Sequence, residues 1–283
     1  MVNFERLRGT LPARTLQRFL ERSALSRQPQ CTIEPCVTNL REVSQIDLTV
    51  AITDRVERDE GASESWERVV NFIPPNTGGI NHGDRRAIYS LVRYLRPSKI
   101  LEIGTHVGAS TTVIAQAMQR NKAEGSSGCL TTVDIRDVNC CTDKPWLKFR
   151  CEFSPREILQ QLKMESLVNF VTDSSIDFLS KTSDRYDLIF LDGDHAAATV
   201  YREVPLALRC LRPSGVILLH DYFPKCQPLW RDGVAIPGPF LAVNRLQREG
   251  FSIYPEPLGN LPWPTKQGST ATSLALILRA PAA

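Results

Sequence analysis

Tyr186-Asp187-Leu188-Ile189-Phe190-Leu191-Asp192-Gly193-Asp194-His195 reads as a short buried strand that ends in acids and an imidazole. The apolar run is the length of a strand covered on both faces, and Gly193 supplies the turn that stops it. About two dozen residues on, Gly215 to His220 repeats the pattern and closes in Leu219-His220-Asp221-Tyr222. Parallel strands that end in polar groups bring those groups to one crevice outside their carboxyl ends. An acid and a histidine placed there can hold a metal, orient a substrate hydroxyl and take its proton, which points to an enzyme rather than a scaffold.

Outward from this pair, strands and helices alternate. Lys99 to Ile103, Leu130 to Asp134 and Val168 to Val171 read as three further buried strands. Helical spacing of apolar residues marks Asp84 to Arg96 and the stretches near 108 to 119, 155 to 163, 174 to 181 and 198 to 211. This is the βαβ order of a parallel sheet covered on both faces. The end of the chain predicts a helix at Phe240 to Glu249, a strand at Phe251 to Tyr254 and a last strand at Ser273 to Leu278. The link between those strands is compatible with an antiparallel hairpin and a C-terminal edge strand, and a loop of this length is also long enough to cover a site. Residues 1–75 show no sustained period and end in Ile73-Pro74-Pro75-Asn76-Thr77-Gly78-Gly79, a loop that divides an N-terminal extension from a domain over 76–283.

With 283 residues and 42% hydrophobic content, one sizeable core in a decorated single domain is expected. Six Arg against two Glu give residues 1–30 a charge of +4, which leaves about −1 for the rest of a chain whose net charge is +3. The body therefore lacks the charge of a nucleic-acid binder. No apolar run reaches the roughly 18 residues of a membrane span, and the start lacks the apolar stretch of a secretory signal, so the reading is cytoplasmic with no membrane partner. Leu7, Leu11, Leu16, Phe19 and Leu20 fit a short amphipathic helix, read as a lid or a docking arm that could join copies in a homo-oligomer; an organelle transit peptide is the alternative. Cysteines are not spaced as a zinc site: Cys31 and Cys36 are five apart and Cys140 and Cys141 are adjacent. They read as free thiols of a reducing compartment.

Leu101-Glu102-Ile103-Gly104-Thr105-His106-Val107-Gly108 follows the first strand and opens a helix. Gly104 and Gly108 allow a sharp turn and close approach to a ligand, and free amides at the helix start can meet a carboxylate. The spacing is not G-x-G-x-x-G, and Glu102 favours an ammonium where it would repel a pyrophosphate. Asp134, at the end of the second strand, can accept both hydroxyls of a ribose. Asp173-Ser174-Ser175 closes the third strand, either as an N-cap or as a polar rim for a base.

Together these runs resemble class I S-adenosylmethionine (SAM)-dependent methyltransferases. Phe190 to His195 and Leu218 to Tyr222 are similar, more narrowly, to the small-molecule O-methyltransferases that include catechol O-methyltransferase and the macrolide-sugar and antibiotic-tailoring enzymes. The likeness covers roughly residues 80–280. It implies a Rossmann-like, doubly wound, mostly parallel sheet. It also implies SAM held by Glu102, Gly104, Thr105, Gly108, Ser110, Asp134, Asp173, Ser174, Ser175 and Asp192. Asp192 and Asp221, with His220, match the position of a divalent metal, Mg²⁺ in the first place. His195 falls where the catechol enzymes have a Lys base and the sugar enzymes a His. An imidazole, with a reference pKa of about 6.5, can take a hydroxyl proton near neutral pH. His220-Asp221 departs from the acid pair or acid-amide pair of the family. An imidazole there softens the donor set, so a further oxygen donor, a transition metal or no metal at all are the choices; His220 as a core histidine is the plain alternative.

The expected activity is methyl transfer to a hydroxyl of a small molecule, a phenol or sugar of secondary metabolism. The acceptor pocket is expected from residues 76–82, from 222–238 with Trp230, and from 258–268 with Trp263. A metal-independent N-methyltransferase and a non-catalytic SAM-binding assembly protein are the alternatives.

Overall fold

Strands β1 Lys99–Ile103, β2 Cys129–Asp134, β3 Val168–Thr172, β4 Tyr186–Leu191, β5 Leu211–Leu219, β6 Ile253–Pro257 and β7 Ala275–Arg279 form a single sheet in the order β3-β2-β1-β4-β5-β7-β6. The structure, a computed structural model, describes residues 13–33, 37–59, 62–74, 77 and 79–279. β1 to β5 pair in parallel, and β7 runs antiparallel to both its neighbours. The doubly wound sheet with an antiparallel C-terminal strand is therefore what this sequence forms. β7 lies one place in from the edge and β6 outermost. Ala275 to Leu278 are fully buried, whereas β6 carries Pro255 and Pro257 and exposes Tyr254, and a proline that cannot donate to a ladder suits an edge.

Alternation along the strands feeds two cores. In β4, Leu188 and Phe190 face a core shared with α5 His82–Leu95, α6 Ala109–Ala123 and α7 Pro155–Gln161. Ile189 and Leu191 face the other, with α8 Ser175–Lys181, α9 Ala197–Arg209 and α10 Gly238–Arg248. Period-two strands under amphipathic helices account for both layers.

The N-terminal region holds more order than its weak periodicity predicts: α1 Ala13–Ser26, α2 Leu48–Ala51, α3 Arg55–Arg58 and α4 Ala62–Asn71. α2 and α3 are single turns, too short for a repeat to register. Their caps are local: Asp47 accepts from the Val50 amide at 3.1 Å and Asp54 from the Val56 amide at 3.2 Å. α1 docks on α9 and α10. Glu21 accepts from the Ala197 amide at 2.7 Å, Arg245 donates to the carbonyls of Leu25 and Gln28, and Phe19 and Leu20 stay exposed. Leu7, Leu11 and Asn76 lie outside the described residues. Arg85 is buried and ties the 73–80 connection to α5, donating to the carbonyls of Ile80 at 2.8 Å and Ile73 at 3.1 Å. Burial lowers its guanidinium to about 10.

The sheet order reverses between β1 and β4. Register then aligns the ends of three strands: Ile103 pairs with Leu191, and Leu191 with Leu219. The next residues, Gly104, Asp192 and His220, thus stand side by side at the topological switch point, where open α/β sheets bind ligands. Gly104 has φ +98°, and a Cβ there would lie 2.1 Å from the Asp192 carbonyl oxygen. Gly104→Ala is expected to cost more than the roughly 1–3 kcal/mol of backbone strain alone, lowering Tm in a thermal melt; an unchanged melt would contradict this close approach.

Candidate active site

The three aligned strand ends open into a cavity of about 1280 Å³. Gly104, Thr105, Ser110, Asp134, Asp173, Ser174, Ser175, Asp192, His195, His220 and Asp221 all line it. Glu102 and Gly108 are not among its lining residues. Gly108 instead caps α6, with φ +80° and its backbone against Pro155.

Glu102 is a carboxylate in the middle of the sheet with no exposure. Its Oε2 accepts from Thr111 at 2.5 Å and Thr132 at 2.6 Å, while Oε1 is buried with no hydrogen-bond partner among the described residues. Burial pushes its pKa up to about 7, against the hydroxyls of Ser110, Thr111 and Thr132. A buried carboxylate oxygen left without a donor fits a cationic partner such as the ammonium of a methionine moiety. Asp134 is held by the amides of His106 at 2.9 Å and Arg136 at 3.0 Å, one on each oxygen. Each oxygen keeps acceptor capacity for a diol. The N-cap reading of residues 173–175 is seen. Ser174 caps α8, accepting from the Asp177 amide at 3.0 Å, and still lines the cavity.

In the same cavity two imidazoles and two carboxylates converge. His220 Nδ1 is 2.7 Å from Asp192 Oδ1 and 3.8 Å from Asp221 Oδ1. His195 Nε2 is 3.3 Å from Asp221 Oδ2 and 3.8 Å from Asp192 Oδ1. Donor atoms of Asp192, His195 and His220 lie within 4.8 Å of one another, so the set fits a divalent ion. Asp221 touches both imidazoles from its αL backbone at φ 52° and accepts from the Ser273 hydroxyl at 3.2 Å. Burial by itself lowers the pKa of His220, but the charges of Asp192 and Asp221 and hydrogen bonds to Asp192 and Asp84 outweigh it and raise it well above the usual imidazole range. An ion that takes Nδ1 therefore displaces a proton.

Asp84 is the residue sequence reasoning missed. It is fully buried in the first turn of α5, with Oδ2 3.5 Å from His220 Nε2. Thr272 at 2.5 Å and Asn81 at 2.6 Å donate to its carboxylate. An acid three residues after an Asn reads as an ordinary helix start, and Asn81 is indeed the cap, so nothing in the sequence marked it. Of the two tryptophans expected to face an acceptor, Trp230 lines the cavity under Lys266, whose ammonium is 5.0 Å from the ring. Trp263 does not. It is buried, donates to the Gly83 carbonyl at 2.8 Å and stacks under Arg86, because α5 and the 258–272 segment close on each other there.

Residues 101–222 match the family described as a methyltransferase domain. That stretch is a methyltransferase domain. It runs from β1 through both acidic strand ends, and it bears out the resemblance to class I methyltransferases. Similar solved structures include a Klebsiella pneumoniae protein assigned to the O-methyltransferases, at 20% identity and TM-score 0.53 over 76% of this chain and 89% of that one. Another is the O-methyltransferase TomG of Streptomyces achromogenes, involved in tomaymycin synthesis and bound to SAM, at 15% identity and TM-score 0.52 over 95% and 100%. A third is the S-adenosylhomocysteine (SAH)-bound methyltransferase PaMTH1 of Podospora anserina, at 18% and 0.50 over 77% and 86%. At these identities the likeness speaks for the fold. Among curated proteins none matches the chain. Among the described residues no helix is long and apolar enough to cross a membrane.

Proposed function

We propose that the methyltransferase domain moves a methyl group from SAM to a hydroxyl of a small molecule. The observation that carries the reading is one cavity lined by two chemically different groups of residues. Asp134, fixed by two amides, suits the ribose of an aminoacyl nucleoside, with the unpartnered carboxylate oxygen of Glu102 buried in β1, and the imidazoles and carboxylates of Asp192, His195 and His220 suit an acidifying hydroxyl.

When bound, SAM supplies a methyl group on a sulfonium that leaves as a neutral thioether. Glu102 would meet its ammonium, Asp134 its ribose hydroxyls, and Asp173, Ser174 and Ser175 its base. Gly104, Thr105 and Ser110, which line the same cavity, would complete its site. A divalent ion held by Asp192, Asp221 and His220 would lower the pKa of the acceptor hydroxyl. His195, which lines the cavity with its side chain 30% exposed, takes the hydroxyl proton as the oxygen bonds to carbon. The rest of the rate comes from holding acceptor and donor in line, an effect worth an effective molarity of around 10⁵ M or more.

Trp230 with Lys266 offers an aromatic and cationic wall for the acceptor, in keeping with a phenol or sugar of secondary metabolism. The seven cysteines among the described residues are free thiols, in keeping with a cytoplasmic home. The test is incubation of the pure chain with methyl-labelled SAM and a panel of phenols, sugars and amines, with and without chelator. Label is expected on a hydroxyl product. SAH binding with no transfer to any acceptor would favour a non-catalytic SAM-binding protein, and transfer to amines that survives chelation would move the reading to N-methylation.

A further inference from the structure

We propose that His220 is a nitrogen ligand of a d-block divalent ion, fixed for that role by Asp84, so that the acceptor end of the cavity selects a transition metal over Mg²⁺. The inference rests on the methyltransferase reading above for where the acceptor sits, and on local geometry for everything else.

The argument starts with the two faces of one ring. Nδ1 of His220 points at the acids of the cavity, 2.7 Å from Asp192 Oδ1. Nε2 points the other way, at Asp84 Oδ2, 3.5 Å off. Metal-bound histidines commonly donate their second ring N–H to a carboxylate, which fixes the tautomer and raises the basicity of the ligating nitrogen. Asp84 is built for such a post. It has no solvent exposure, and Thr272 and Asn81 hold its carboxylate from two different segments. A buried carboxylate restrained in this way costs free energy unless something across from it carries positive charge or a donor.

His195 lacks this support. Both carboxylates near it, Asp192 and Asp221, lie on its Nε2, and among the described residues none ion-pairs with its Nδ1. It is also the more exposed ring, 30% against 12% for His220. The two imidazoles therefore divide the work: the buried, backed one ligates, and the open one is left to move a proton. One imidazole nitrogen beside carboxylate oxygens shifts preference from Mg²⁺, which favours oxygen and keeps its waters, toward Mn²⁺, Fe²⁺, Co²⁺ or Zn²⁺.

The experiment uses the full chain, stripped with chelator and loaded with Mn²⁺. Pulsed EPR reads the ¹⁴N coupling of a bound imidazole, and calorimetry on the same samples reads SAH binding. Wild type and His195→Ala are expected to show ¹⁴N coupling, His220→Asn to lose it, and an equal concentration of Mg²⁺ to leave the Mn²⁺ signal in place. Asp84→Asn is expected to keep the coupling but weaken Mn²⁺ binding about 10–100-fold. SAH binding by each variant certifies its fold. Mn²⁺ bound without ¹⁴N coupling, coupling that persists in His220→Asn or vanishes in His195→Ala, or an Asp84→Asn affinity equal to wild type would each overturn the proposal. Wild-type protein that binds Mn²⁺ with ¹⁴N coupling but no SAH would overturn the methyltransferase reading instead.

Discussion

His195→Ala is expected to lower kcat by about 10²–10⁴-fold while the Kd for SAH stays at the wild-type value. Both halves of that result come from position. His195 lies three residues past Asp192 and lines the cavity, with Nε2 3.3 Å from Asp221. It is far along the chain from Glu102 in β1 and Asp134 at the end of β2, two of the carboxylates assigned to SAM. Removing the ring therefore takes away a proton acceptor and leaves the cofactor contacts in place. Loss confined to kcat separates a base from a residue that only shapes the pocket, which would raise KM as well. His195→Gln, which keeps a polar group without an imidazole's basicity, is expected to be as slow as alanine. Steady-state kinetics with the acceptor found by the panel, beside SAH calorimetry, is the measurement, and turnover at the wild-type rate in either variant would remove His195 from the chemistry.

The parts of this molecule that can be read from the sequence are those whose cause is local. Leu188 to Leu191 has to be a strand because four apolar residues between an acid and a turn have no other way to be covered on both sides. Gly104, Asp134 and Asp192, at the ends of β1, β2 and β4, then share a crevice because strand ends in a parallel sheet do so whatever the side chains are. What escaped has its cause in distant chain. Asp84 and His220 are neighbours only because α5 and β5 meet in space, and Thr272 joins them from the last loop. In sequence Asp84 is one more acid in a helix's first turn. Trp263, in a Pro-rich loop, suits a pocket wall by its sequence, although aromatic residues in such loops are more often plain packing. Its indole N–H instead found the carbonyl of Gly83, where only a residue with no side chain lets the two segments touch. The edge position of β6 was open in principle. Pro255 and Pro257 suit the outermost place, and the antiparallel edge hairpin is what β6 and β7 form.

Glu102→Gln is expected to make the protein more stable and to leave it unable to hold SAM. In the folded chain burial raises the Glu102 carboxyl to about 7, from an ordinary 4.5. A folded-state pKa above the unfolded one means that stability is full at low pH and falls as pH rises from about 4.5 to about 7, then levels off. The size of that loss is about 3 kcal/mol. Glutamine carries no charge to bury, so wild type and variant should diverge across this window and run parallel above it. Chemical denaturation at pH 4, 6 and 8 checks the shape. For the cofactor the sign reverses. A ligand ammonium favours the ionised carboxylate, so wild-type affinity should rise up to tenfold per pH unit on approach to 7 and flatten beyond it. In the variant the amide oxygen has to keep the Thr111 and Thr132 hydroxyls, which leaves the NH₂ at the position of Oε1, donor facing donor. Truncating one side of a buried charge pair costs about 2–5 kcal/mol, or roughly thirty- to several-thousand-fold in Kd. SAM binding by Glu102→Gln within threefold of wild type, or a stability difference that does not vary with pH, would show that Glu102 serves the sheet and not the cofactor.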